Sequence, residues 1–214
     1  MITPKVPVAK EGYPFILYSG FCTLILCILG YQLATGLMFF VTTFILAFFR
    51  DPERFVSPDE DALVCPADGK IISIETVENN QFTNQKVQKV CIFMNVFNVH
   101  VNRVPFSGTV EHTLYYPGKF YSADSDKAAL ENEYFATVLA LPGDKKIAVV
   151  QIAGLIARRI ICWLEPGDLA VKGRRLGLIR FGSRVDLYLP METELTITTG
   201  QKVRAGETII GRLK

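Results

Sequence analysis

Two hydrophobic patterns divide the chain. From Gly12 to Phe49 there is no Asp, Glu, Lys or Arg, and from Arg50 onward charged residues break the apolar ones into short runs. As one helix, the stretch from Pro14 to Phe49 would be about 54 Å long, against a hydrocarbon core of roughly 30 Å. Its centre is soft, Gly30-Tyr-Gln-Leu-Ala-Thr-Gly36. The pattern therefore predicts two apolar helices, at about 15–31 and 34–49, joined by a tight turn, as a transmembrane or re-entrant hairpin. Lys5 and Lys10 precede it and Arg50 and Arg54 follow it. The positive-inside rule then puts both flanks, and the rest of the chain, on the cytoplasmic side of the cell membrane. A cleaved signal peptide fits poorly, because the apolar region is too long and no small-residue cleavage site follows. A buried hairpin in a soluble core is the plainer alternative.

After Arg50 the period shortens. Lys70–Val77, Val90–Met94, Thr137–Leu141, Lys146–Ile152, Arg184–Leu189 and Glu194–Thr198 are β-rich runs with turn residues between them. Pro142-Gly-Asp-Lys145 reads as a hairpin turn, and helical periodicity is scarce beyond about Ser125–Glu131. The expected division is a tail over 1–13, a hairpin anchor over 14–50 and one mostly β domain over 51–214. Leu164–Gly173 and Thr199–Gly211 each carry a turn glycine, a strand start and a second glycine, and Asp68-Gly69 is a looser third case. This layout resembles the barrel-sandwich hybrid of lipoyl and biotinyl domains. No carrier lysine motif stands at the expected hairpin, which disfavours a swinging-arm carrier.

Composition changes the picture only by exclusion. A net charge of +2 gives no argument for a nucleic-acid partner. The five cysteines, Cys22, Cys27, Cys65, Cys91 and Cys162, are odd in number and lack a C-x-x-C, so they read as free thiols. With two histidines, His100 and His112, a histidine-rich metal site is not expected, and the cysteine spacing offers no zinc site.

Candidate chemistry centres on Arg180-Phe-Gly-Ser-Arg-Val-Asp-Leu-Tyr-Leu-Pro190. With it come Pro66-Ala-Asp-Gly69, Met94-Asn-Val-Phe-Asn-Val-His-Val-Asn-Arg-Val-Pro105, Asn132-Glu133 and Gln151-Ile-Ala-Gly-Leu-Ile-Ala-Arg-Arg159. In this order the blocks resemble the phosphatidylserine decarboxylase family in its short bacterial and archaeal form. The apolar hairpin before Phe49-Arg-Asp-Pro-Glu-Arg54 matches that form too.

The resemblance implies a proenzyme cut between Gly182 and Ser183 into a β chain, 1–182, and an α chain from 183. Ser183 would attack the Gly182 carbonyl, where the absence of a side chain lets the oxygen approach. A serine hydroxyl needs a base. The family's Asp–His–Ser arrangement maps onto Asp68, His100 and Ser183, with His100 as base and Asp68 holding its tautomer. The resulting ester would eliminate to dehydroalanine and hydrolyse, losing ammonia, to leave a covalent pyruvoyl group (pyruvate) at residue 183. That cofactor would form a Schiff base with the amine of phosphatidylserine, and His100 is the default proton donor to the decarboxylated carbon. Many long-form relatives have His-x-x-His in the histidine block. Here it is His100-Val-Asn-Arg103, so the division of labour at His100 stays open.

Archaetidylserine or a related aminophospholipid is the alternative substrate. A non-catalytic membrane-anchored adaptor and a membrane peptidase are the alternative classes. A homo-oligomer is left open. Arg158, Arg159, Lys172, Arg174, Arg175, Arg180 and Arg184 crowd into one third of the chain, where they would face lipid headgroups, hold a substrate phosphate or form a solvated face. Phe93, Phe97 and Phe106 read as core. His112 reads as structural or exposed.

Overall fold

The computed structural model describes residues 7–118, 131–154, 159–180 and 183–213. Gly182, Arg158 and most of the segment with helical periodicity, 125–130, lie outside them. The chain divides into two compact units, Met1–Glu53 and Arg54–Lys214.

In the first unit a 3-10 turn, Lys10–Gly12, leads into α1, Tyr13–Ile28, which is followed by α2, Gln32–Phe48. Pro14 lies in the first turn of α1, where its missing N–H costs nothing. The turn between the helices is as tight as expected but falls earlier, before residue 32 rather than at about 32–33. Only Leu29–Tyr31 is non-helical, with Gly30 at φ 77°, and Gln32–Gly36 is the first turn of α2. One left-handed residue suffices to reverse the chain, and Gly takes it without strain. Thr23 and Thr42 meet by their hydroxyls at 3.1 Å, and Phe15 stacks on Phe49 at 5.5 Å. These pairs match the two helices in antiparallel register. At the base Val8 bridges Arg50, and the Ala9 N–H donates to the Phe49 carbonyl.

Apolar residues lie all round both helices. Leu17, Phe21, Leu24, Leu33, Leu37 and Phe40 are each more than half exposed. A helix apolar on every side has no aqueous face. The helical stretch Lys10–Ile28 is long and apolar enough to cross a membrane, while α2 is shorter.

The second unit is mostly β. Its strands in chain order are β1 Ala62–Val64, β2 Gly69–Val77, β3 Val87–Met94, β4 Val101–Arg103, β5 Gly108–Tyr116, β6 Tyr134–Ala140, β7 Lys146–Ala153, β8 Ile160–Cys162, β9 Leu169–Ala170, β10 Arg175–Ile179, β11 Ser183–Pro190, β12 Glu194–Leu195, β13 Lys202–Val203 and β14 Ile209–Arg212. Eight of them form one antiparallel sheet in the order β13-β2-β3-β11-β7-β6-β5-β9. Two three-stranded sheets, β4-β10-β8 and β1-β14-β12, complete it. The expected Pro142–Lys145 turn joins β6 to β7, with Leu141 N–H donating to the Lys145 carbonyl. The run Glu194–Thr198 forms a strand only at Glu194–Leu195.

β11 is central, paired to β3 on one side and β7 on the other. Strand alternation sends its odd and even residues to opposite faces. Val185, Leu187 and Leu189 join Val90, Ile92, Met94 and Val149 in the main core. On the other face Tyr188 packs against a smaller cluster that includes Phe82, Tyr134 and Val150. Phe82 closes this face edge-on, 5.2 Å from Tyr188 and 5.8 Å from Tyr134. An Asn80 side chain that accepts the Phe82 N–H fixes its loop. Both faces of β11 are therefore dry, and a cut at its start would leave the strand held along its length.

Candidate active site

Ser183 is the first residue of β11 and is fully buried. It lies opposite Met94 at the end of β3 and opposite Ala153 at the end of β7. Its hydroxyl donates to the Met94 Sδ at 3.4 Å. A thioether is a weak acceptor, so this bond holds the hydroxyl without drawing off its proton. The Asn102 amide also donates to Met94 Sδ, at 3.6 Å, and accepts at its Oδ1 from Gln151 Nε2 at 2.8 Å. Gln151 and Asn102 are fully buried, and Gln151 Oε1 has no hydrogen-bond partner among the described residues. An unsatisfied buried acceptor is costly, and this one lies on the Ser183 face of the sheet, opposite Val185.

His100 immediately precedes β4 and is also fully buried. Its Nδ1 is 3.0 Å from the Asn98 carbonyl oxygen. A carbonyl only accepts, so Nδ1 carries the proton and Nε2 the lone pair. The His100 carbonyl in turn accepts from Ile179 N–H, four residues before Ser183. Asp68 immediately precedes β2, on the other side of β3. One of its oxygens accepts from Arg54 Nη2 at 2.8 Å and the other from Ala205 N–H at 2.8 Å. Arg54 also reaches Glu207 at 3.4 Å. The turn that presents Ala205 needs Gly206, which has φ 75° and would place a Cβ 2.9 Å from Arg103 Cδ. Arg103 is buried and donates to the Gly173 carbonyl at 2.8 Å.

Ser183, Met94 and the start of β2 share one end of the β2-β3-β11 ribbon. The Arg103 N–H donates to Pro66, which brings the 66–68 segment and the 100–103 segment to the same end. The hydrogen bonds named for His100 and Asp68 run to Asn98, Arg54 and Ala205, so His100 is oriented by its own turn and Asp68 by residues 14 and 137 positions away.

Several residues here escaped the reading of the sequence. Met94, Asn102, Gln151 and Glu133 stood inside the quoted blocks, and that was their only signal. Asn132 donates to the Ala153 carbonyl at 2.7 Å, and Ala153 N–H donates back to Glu133, fixing the residue opposite Ser183. Burial raises the Glu133 carboxyl above the ordinary range, against the Ile160 N–H and Arg159, which favour its ionised form. Arg184 was expected among cations facing lipid or substrate. Instead it is buried on the opposite face of β11 from Ser183, with Nε 2.5 Å from Asp186 Oδ1 and Nη2 2.8 Å from Cys91 Sγ. Lys89 adds a second cation 3.5 Å from Asp186. Burial alone would lower the guanidinium, but Asp186 overcomes this and raises it. Lys172 donates to the Asp59 carbonyl. His112 is exposed.

Known proteins resemble the chain along its whole length. The family model described as phosphatidylserine decarboxylase matches residues 41–211. The chain is 56% identical over 213 residues to a phosphatidylserine decarboxylase proenzyme of Desulfotalea psychrophila, with all of both chains covered. The proenzyme of Geotalea uraniireducens is 46% identical, again over all of both chains. That of Magnetococcus marinus is 45% identical, with 97% of this chain and 95% of the other covered. The chain belongs to the phosphatidylserine decarboxylase family. It is therefore a carboxy-lyase, and a non-catalytic adaptor is excluded. Within this decarboxylase family's matched span, 41–211, lie all the segments that meet at Ser183.

Proposed function

We propose that the chain is a proenzyme that cuts itself between Gly182 and Ser183 and then decarboxylates phosphatidylserine to phosphatidylethanolamine. The observation that carries this reading is Ser183 itself. It is a buried serine at the start of a central strand, its hydroxyl donating to a thioether, in a chain whose relatives are named proenzymes. His100 Nε2 is the base, because Nδ1 is committed to the Asn98 carbonyl. Asp68 acts on the charge that forms there, with Arg54 and Ala205 fixing its position. Attack of Ser183 Oγ on the Gly182 carbonyl breaks the peptide bond to nitrogen and forms an ester. Loss of the upstream carboxylate and hydrolysis of the dehydroalanine then release ammonia.

Residue 183 fits a pyruvoyl group, since its side chain is small, buried and on the dry face of the sheet. When formed, that group supplies an electrophilic carbonyl and an electron sink of the kind pyridoxal phosphate provides. The protein's own share is to exclude water, to hold the strand by both neighbours, and to return a proton from His100.

The reading also includes a hairpin anchor over 14–50 that keeps the β domain at the cytoplasmic face of the cell membrane. The length and apolar surface of Lys10–Ile28 support it. The barrel-sandwich hybrid remains our reading of the 51–214 domain, supported by the left-handed glycines 167, 173, 200 and 206 in the two stretches that suggested it. The direct test is Ser183→Ala. It should yield a single folded chain of 23.9 kDa that releases no carbon dioxide from phosphatidylserine. Decarboxylation by the uncut variant would overturn the proposal.

A further inference from the structure

Phe97, expected in the core, is 72% exposed. It stands at the tip of the turn between β3 and β4, and the turn is built rather than loose. Asn95 Oδ1 accepts the Phe97 N–H at 2.9 Å, Asn98 Oδ1 accepts the Asn95 N–H at 2.9 Å, and Asn98 N–H donates to the Asn95 carbonyl at 3.0 Å. Two asparagine side chains thus fix a backbone that holds an aromatic ring out to solvent. Asn and Asp side chains commonly shape such turns, but nothing in turn chemistry asks for Phe at the tip. The same Asn98 provides the carbonyl on which His100 Nδ1 rests. Nearby, the Ile179 N–H donates to the His100 carbonyl, and the next residue, Arg180, donates to the carbonyl of exposed Arg159. An apolar tip, the exposed cation Arg159 and the buried site are therefore joined through one short stretch of backbone.

We propose that the 95–98 turn is a lipid-contacting tip, with Phe97 entering the acyl layer and exposed Arg159 at the level of the anionic headgroups. The occupant is a phospholipid bilayer, and this rests on the reading above that the substrate is a membrane phospholipid. An amine carried by such a lipid must leave the headgroup layer to reach residue 183. A tip beside His100 shortens that path. Burying one phenylalanine ring is worth enough to change interfacial engagement roughly tenfold or more.

The test uses the full chain reconstituted in phosphatidylcholine and phosphatidylserine vesicles. Trp163, the only tryptophan, is replaced by Phe, and a single reporter is introduced as Phe97→Trp. A second reporter, Leu169→Trp, sits on edge strand β9, where Leu169 is 79% exposed. Lipids brominated in their acyl chains should quench the reporter at 97 and leave that at 169 unchanged. No quenching at 97, or equal quenching at both, overturns the proposal. Independently, Phe97→Ser should lower turnover of vesicle phosphatidylserine about tenfold more than turnover of dispersed short-chain phosphatidylserine. An equal loss on both substrates would mean that the turn only supports His100, and would also overturn it. A failure of the parent reading would look different: the unaltered chain would stay uncut whatever the reporters show.

Discussion

At Asp186 a carboxylate shares a water-free site with two cations, and that site lies on the far side of the strand from Ser183. Arg184 grips Asp186 with two nitrogens, while Lys89 approaches one oxygen at 3.5 Å. Removing one member of a buried pair typically costs about 3–5 kcal/mol, because the other is left uncompensated. Asp186→Leu strands two cations and should cost more than Arg184→Leu, which leaves Lys89 to serve Asp186. The double variant should cost less than the sum of the singles, as urea midpoints would show. The thiols give a second, pH-dependent expectation. Burial pushes Cys65 up to about 12 and Cys91 up to about 11, the latter helped by Asp186. Unfolded thiols ionise near pH 9, so above pH 9 the unfolded chain binds fewer protons than the folded one. Their contribution is intact below pH 9 and falls as pH rises toward 11–12. At pH 8 Cys91 should react with iodoacetamide at least about a hundredfold more slowly than in the urea-unfolded chain. The sequence could show neither feature. Arg184 looked like one more cation in a basic third of the chain, because alternation tells which residues share a face but not whether that face is covered. Phe97 shows the reverse error: alternation placed it inside, and a turn carried it out. Ser183, Asp68 and His100 were singled out only through their blocks, while the Asn98, Met94 and Arg54 contacts depend on the fold.

The elements were easier to read where burial is strongest. β2, β3, β6, β7 and β11 follow dense runs of β-branched and aliphatic residues, and the central strand among them is the one that carries Ser183. β5 went unread because most of its residues, Glu111, His112 and Tyr115 among them, face solvent. A strand with little to bury leaves little alternation. The two apolar helices were legible because absence of charge over Gly12–Phe49 is a strong signal, and only their turn fell a few residues earlier than expected. Its outward residues test the anchor. Leu24 and Phe40 are 56% and 73% exposed. In water, glutamate at both positions would be harmless. In a bilayer each charge near the centre costs about 2.5–3.5 kcal/mol. Leu24→Glu with Phe40→Glu should therefore release the full chain from membranes on alkaline carbonate extraction, while the parent chain stays with them. Retention of the doubly substituted chain would count against a spanning hairpin.

Across the whole molecule, the anchor unit and the β unit have separate tasks. In the proposed reading the first keeps the chain with its lipid, while the second brings distant segments to the end of one strand. The proposed cut at residue 183 would join these tasks to chemistry, because β11 is paired on both sides and packed on both faces and so could lose its upstream connection without leaving the sheet. Intact-mass measurement of the purified, unaltered protein under denaturing conditions tests this most directly. In proportion to their lengths within a 23.9 kDa chain, fragments of about 20 kDa and about 3.6 kDa are expected. The smaller should begin at residue 183 and weigh one ammonia less than the corresponding serine peptide, with an N-terminus that a hydrazide labels. A protein that remains one 23.9 kDa chain while it decarboxylates phosphatidylserine would contradict the account.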